Sequence, residues 1–488
     1  MTLIGAPVRA ALLEQRERTK RSSKAEIERF IEELESKIIS LGSQICALEE
    51  LRDHQRACVL ALKHIGSPIH SLPVELLVEI FDLAAGDYPY IEFKDMYRVS
   101  QVCSDWRQIA HSTPRLWTRI PSLDLHRKGN VPDPMAALLA RSAPLPVRIS
   151  LGHNYGGINP GILEEVMKVS SRWGYLLVDT IGPTPLSLLR QLAQCRLDNL
   201  EEMDLGSIDA TESTPPPAFI APRLRKLSIS NFTGEAPQII MPWAQLTELT
   251  FECDCQDGSL EVLTQCTNLV KADITISEWS RPPQVGQDLI YCSQLQSLEL
   301  WFMAENPLFF DYLSAPVLQE LRLHLDLADL PTELHWAAAH FTAFQMRTPN
   351  LTRLEIHSSD AFTITSDDLV AALRSAPSLT HLKLGCYDDT VDNAFIRALH
   401  YEDGVPPLVP RLHNLVIKWT LVLMEDVLAG MIASRWWDDT ELVPSLVARW
   451  THLELQIQCN WDRPLWELRE DYHLPPWPIL QIFTYTYT

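Results

Sequence analysis

Apolar residues between positions 24 and 65 recur at alternating spacings of four and three: Ile27, Ile31, Leu34, Ile38, Leu41, Ile45 and Leu48. A 3.5-residue period predicts one long helix carrying a coiled-coil seam. Arg52 and Gln55 fall on the seam and interrupt it, and Val59 and Leu62 resume it. Three occupants satisfy such a stripe: a second copy of this chain, giving a homodimer through residues 24–65, the chain's own body, or another protein. Residues 1–23 are expected to be a flexible terminus, its basic residues Arg16, Arg18, Lys20 and Arg21 continuing into Lys24.

A second helical period starts at Leu72-Pro73. Pro73 suits a helix start, where a missing N–H costs nothing. Val74, Leu77, Val78 and Phe81 form one apolar stripe; Leu72, Leu76, Ile80 and Leu83 form another. With so little polar face, this helix is expected to be buried on both sides, ending near Gly86. Val99, Val102, Trp106 and Ile109 predict one further helix, limited by Pro114. About fifty residues make only a marginal core, so leftover apolar surface here implies a partner.

From residue 200 a different pattern repeats, L-x-x-L-x-L. Its leading leucines are Leu200, Leu224, Leu246, Leu269, Leu295, Leu318, Leu351, Leu379 and Leu412. Intervals of 22 to 33 residues fit leucine-rich repeats with insertions. The end of each motif alternates like a strand buried on one face. The expected fold class is α/β: a curved solenoid over 200–460, parallel strands inside, helices such as 366–377 outside, stable only as a stack. Residues 121–199 are expected to hold a linker and the solenoid's start, at 145–151. Residues 461–488, with Trp461, Trp466 and Trp477, are expected to cap its end.

Residues between the repeat leucines face away from the core. On the expected concave face they run from acidic in the first four repeats to mixed in the later ones. Trp301, Arg322, His324, Arg353 and His357 stand at the turnover and are the candidate target-binding residues. Exposed Trp and Arg commonly anchor interfaces. A solvated ladder of opposite charges is the plainer alternative.

The net charge of −22 argues against a general nucleic-acid binder. Up to residue 66 there are 11 basic and 10 acidic residues, so the acidity belongs to the later chain. No run of eighteen apolar residues marks a membrane span. Ten cysteines without a C-x-x-C pair fit reduced thiols in the cytosol or nucleus. Cys253 and Cys255 lack a second ligand pair at zinc spacing, so no metal is expected. Residues 152–161 are glycine-rich but lack the ending of a phosphate loop, and 213–219 reads as an exposed insertion. Asp367-Asp368, Asp388-Asp389 and Asp438-Asp439 suit loops and helix starts. No catalytic signature is found, so neither enzyme activity nor a cofactor is expected.

Over residues 67–120, Leu72-Pro73, Leu76-Leu77, Ile80-Phe81, Val99-Ser100, Val102-Cys103, Trp106 and Leu116-Trp117 resemble an F-box. Together with the repeats, the chain resembles leucine-rich-repeat F-box proteins, many of which occur in large, divergent fungal sets. The resemblance implies a substrate receptor that docks a Skp-type adaptor, and through it a cullin, while the repeats hold an unknown target protein. Leu72, Pro73, Leu76, Leu77, Ile80, Phe81, Val102, Cys103 and Trp106 would then make or support the adaptor-facing module. Ser104 stands where the family often has a basic residue. A repeat scaffold with no ligase role is the alternative.

Overall fold

The computed structural model describes residues 6–19, 24–84, 94–118, 123–124, 132–153, 159–180, 182–209, 217–233, 239–278, 289–303, 307–325, 334–336, 338–359, 362–386, 390–420, 423–437, 446–458, 465–476 and 479–485. The expected helix stop at Gly86, most of the insertion 213–219, the centre of the glycine-rich loop and the pairs Asp388-Asp389 and Asp438-Asp439 lie outside the described residues. So do Trp461 and Trp477 and the side chain of Trp466. The chain divides into two compact units, Met1–Ile80 and Phe81–Thr488, the division falling inside a helix.

The first unit opens with helix α1, Ala6–Thr19, where a flexible terminus was expected. Helix α2, Lys24–Ile65, is one unbroken helix of 42 residues. Ala11, Glu14 and Gln15 of α1 line a cleft with Ile27, Phe30, Ile31 and Leu34 of α2. Beyond that cleft the seam is bare: Ile38 is 67% exposed, and Leu41, Ile45, Leu48, Val59 and Leu62 are likewise exposed. A 3-10 turn, Pro68–Ser71, leads into helix α3, Val74–Ala84. Pro73 precedes the first turn, its carbonyl accepting from the Leu77 N–H at 3.1 Å.

In the second unit, the single helix expected around Val99–Ile109 is two, α4 (Lys94–Gln101) and α5 (Ser104–Ser112). Cys103 is the cause. Its backbone is extended, and its Sγ caps α5 by accepting from the Trp106 N–H at 3.5 Å.

The rest is a parallel sheet whose strands pair in chain order. They are β1 (Leu123–Asp124), β2 (Val147–His153), β3 (Trp173–Thr180), β4 (Glu202–Asp204), β5 (Lys226–Thr233), β6 (Glu248–Cys255) and β7 (Lys271–Glu278). They continue as β8 (Ser297–Phe302), β9 (Glu320–Leu325), β10 (Arg353–Ser358), β11 (His381–Cys386), β12 (Asn414–Thr420), β13 (His452–Gln458) and β14 (Leu480–Tyr485). A short strand, Ser207–Asp209, pairs beside β5. The sheet thus starts well before residue 200, and its last strand lies inside the segment expected to be only a cap.

Each leucine motif lands in register with the next: Leu298, Leu321, Leu354, Leu382 and Leu415 sit side by side on successive strands, all buried. Burying one leucine contributes about 1.5–3 kcal/mol. Connectors such as Leu186–Ala193 and Ser366–Arg374 bury Leu188, Leu189, Leu192, Leu369 and Leu373 to complete the core. The second of these helices carries a capping box between Thr365 and Asp368, so Asp367-Asp368 is a helix start as expected.

Polar side chains tie the repeats together. Asn199, Asn268 and Asn350, each just before a leading leucine, donate to the carbonyls of Ser171, Ala244 and Pro316 in the preceding repeat, at 2.7, 2.7 and 2.8 Å. Arg435 is fully buried and donates to the carbonyls of Val409 and Leu408 at 3.1 and 2.6 Å. Burial lowers its guanidinium to about 10.

Candidate functional site

The two stripes of α3 differ in cover: in the first, Val74 at its start is exposed, Val78 is half-buried, and only Leu77 and Phe81 are closed off. Leu77 and Phe81 are buried, Phe81 to 1%. Leu76 is 51% exposed, Leu83 80%, and Ile80 is exposed as well. Spaced by four and then three residues, these three lie on one face of the helix. Burial on both sides, the expectation for this helix, therefore does not hold: one stripe faces solvent.

The buried pair joins an aromatic core. Phe81 packs on Trp106 with ring centroids 4.7 Å apart. Trp117 is buried; its indole N–H donates to the Ala110 carbonyl at 2.6 Å, and Tyr97 meets it edge-on at 5.8 Å. The Arg141 guanidinium lies 4.8 Å over the same ring. An Arg115–Asp82 ion pair at 3.2 Å ties the end of α3 to the turn after α5. Of the remaining predicted residues, Pro73 and Val102 are exposed, and Leu72, Cys103 and Trp106 are half-buried.

On the open face of the sheet, strand register makes the candidate target site. Trp301, His324 and His357 are neighbours on β8, β9 and β10. The Trp301 and His324 rings stack 3.7 Å apart at 5°, and His324 and His357 stack 5.0 Å apart at 10°. Next in register is Gly385. A Cβ there would come within 2.7 Å of His357 Nδ1, so the bare glycine is what lets the last ring lie flat.

Beside the rings runs a row of charges, Asp273, Glu299, Arg322, Glu355 and Lys383, also in register. Arg322 reaches Glu299 at 3.2 Å, Glu320 at 2.8 Å and Glu355 at 3.6 Å. Its guanidinium is thus shared among three carboxylates of the face. Half-exposed pairs of this kind contribute about 0–1 kcal/mol each. His324 Nε2 lies 2.9 Å from Glu299 Oε1, which orients the middle ring. Arg353 remains exposed, 3.9 Å from Glu320.

Electrostatics grade along the row. Burial, with the Glu299 charge added, pushes the Asp273 carboxyl up, against the opposing influence of His324, Trp301 and Lys271. Burial alone would raise Glu355, but Lys383 at 3.0 Å and Arg322 outweigh it and hold that carboxyl below the usual range. Burial, then the charges of Lys383 and His324, hold the His357 imidazole low. Cys253 is buried, and among the described residues no group of three or more His, Cys, Asp or Glu is placed to hold a metal ion. No helix among the described residues is long and apolar enough to cross a membrane.

Sequence reasoning chose Trp301, His324 and His357 singly. It missed Asp273, Glu299 and Gly385 as their partners, because these meet only through register across strands 23 to 33 residues apart.

Comparison with known proteins gives one family match: residues 69–120 fit the F-box-like family. Among curated proteins, none matches the chain in sequence. Two solved structures are similar over much of the chain. One is the Toll–Spatzle complex of Drosophila, at 12% identity and TM-score 0.31, covering 68% of this chain and 42% of that one. The other is the TLR13–ssRNA13 complex, at 14% identity and TM-score 0.33, covering 66% and 42%. This chain thus spans about two fifths of the solved chains it matches, and the fold assignment rests on its own strand register. Residues 69–120 are an F-box-like domain, a protein-interaction module, and the chain beyond them is a leucine-rich-repeat solenoid.

Proposed function

We propose that this chain is a substrate receptor of a Skp–cullin ubiquitin ligase, acting in the cytosol or nucleus. The F-box-like domain docks the Skp-type adaptor, and the open face of the sheet binds a target protein. The observation that carries the reading is the bare stripe Leu76, Ile80 and Leu83 on a helix that buries Leu77 and Phe81 on another side, inside the stretch that matches the family. Exposed apolar side chains grouped on one face fit a partner rather than water. The chain contributes proximity, bringing a target to the ligase, and no bond chemistry of its own. On the sheet, Trp301 and Arg353 are the groups assigned to target contact. The apolar seam of α2 takes a second copy of the chain.

Co-purification with a Skp-type adaptor tests the reading, comparing the natural chain with Leu76→Asp plus Ile80→Asp. The expected result is adaptor binding that the double variant loses while its solenoid still melts as before. A well-folded natural chain that fails to bind the adaptor would move the assignment to a repeat scaffold with no ligase role. Target capture is tested separately by Trp301→Ala with Arg353→Ala, which is expected to abolish it.

A further inference from the structure

We infer that α2 pairs with a second copy in parallel and in register, delivering two F-box-like domains to one end of the dimer. This rests on the self-association reading above and adds its direction. From Ile31 onward the apolar seam residues fall into two alternating sets, Ile27 before them being an isoleucine in the leucine phase. One set is β-branched: Ile31, Ile38, Ile45 and Val59. The other is leucine: Leu34, Leu41, Leu48 and Leu62. A parallel pair stacks each layer on its own kind, and among parallel coils β-branched layers alternating with leucine layers favour two strands over three or four.

The polar interruptions decide against the opposite direction. In a parallel pair Arg52 meets Arg52 and Gln55 meets Gln55: the like charges of the arginine layer cost stability, but the two polar layers are adjacent, fix the register and leave the run from Ile31 to Leu48 unbroken. A full-length antiparallel pair sets Arg52 against the partner's Leu41 and Gln55 against the partner's Ile38, at both ends. It gains flanking ion pairs of Glu28 with Lys63 and of Glu35 with Arg56. Those carboxylates and cations sit on an exposed helix, where ion pairs are weak. A polar group left facing an apolar one in a closed layer costs more than such a pair returns. A shorter antiparallel overlap of Ile31–Leu48 avoids this, but it sets Glu28 against Glu49 and leaves Val59 and Leu62 bare.

The length suits the task. At 1.5 Å per residue α2 spans about 60 Å, and within its own unit its seam is bare beyond Leu34 among the described residues. The F-box-like stretch begins at residue 69, just past the helix end at Ile65. Parallel pairing therefore brings both copies of that stretch together, so that a complex holding two adaptors gains avidity from their linkage.

The experiment uses the full chain with Cys46→Ser, Cys58→Ser and Leu62→Cys. Light scattering at micromolar concentration is expected to give twice the chain mass of 55.5 kDa. Mild oxidation is expected to give a covalent dimer on a non-reducing gel, because a parallel pair sets residue 62 against its own copy. A covalent dimer formed instead between separate Leu62→Cys and Ile31→Cys chains would overturn the parallel direction while leaving self-association intact. A monomer at that concentration would overturn the dimer itself. Adaptor binding, read on Ile38→Asp plus Ile45→Asp, reports on the F-box reading independently. That variant is expected to be monomeric and to bind one adaptor per chain.

Discussion

Leu48 and Leu321 belong to equally regular patterns and meet opposite ends: the first is 64% exposed, the second fully buried. The difference is where the next copy of the pattern comes from. In the solenoid each repeat finds its neighbour a few tens of residues along the same chain, so stacking closes the core. On α2 the pattern runs along one helix, and a helix cannot cover its own stripe. Periodicity thus identifies an element in both regions, but the stacked strands cover one another, while the stripe of a helix needs a second element to cover it.

The strongest way to break this comparison is a leucine truncation in each region. Leu321→Ala is expected to cost the solenoid about 2–5 kcal/mol in urea unfolding, as large-to-small core changes do. Leu48→Ala is expected to leave that transition within about 0.5 kcal/mol and to weaken self-association instead. A solenoid indifferent to Leu321→Ala would remove the contrast.

Gly385→Ala probes how tightly the sheet's outer face is built. The added Cβ would meet His357 Nδ1 at 2.7 Å and turn the ring out of its stack. The expected cost is about 1–3 kcal/mol, as for overpacking elsewhere. It would be read by thermal unfolding and relieved by His357→Ala in the same chain. No loss of stability would mean that the stack is loose.

Cysteines give the gentlest contrast. Burial pushes the Cys266 thiol up to about 12 and the Cys292 thiol to about 11. Cys46 and Cys58 are exposed on α2. Alkylation of the native protein at pH 8 is expected to modify Cys46 and Cys58, with Cys266 and Cys292 reacting only on unfolding, as followed by mass spectrometry. Equal rates would show that the sheet opens far more readily than its packing implies.

The leading leucines from Leu200 to Leu412 made the repeats legible, because a buried strand needs an apolar residue at every second position. β3 and β14 escaped, since WGYLLVDT and LQIFTY lack the leading leucine and read as ordinary strands. The apolar stripes of α3 were legible from spacing, but spacing does not tell which stripe is covered. The break at Val102-Cys103 was hidden because a cysteine is an unusual helix cap; nothing in the apolar period marks it. The stacked rings were illegible for another reason. Trp301, His324 and His357 meet only once three strands are in register, and Arg322 is taken up only once Glu299, Glu320 and Glu355 arrive around it.

The pairing of every main strand with its sequence neighbours has a mechanical consequence. Such a stack is loaded in series. Tension drawing the described end of β14 away from the sheet opens the β13–β14 hydrogen bonds first, then those of β12–β13, each step releasing one repeat's length of chain. The asparagine ties from one repeat to the next are the rivets along that line. The body therefore yields in small increments to a pull from its end, while a load spread across the open face is shared by all the strands at once.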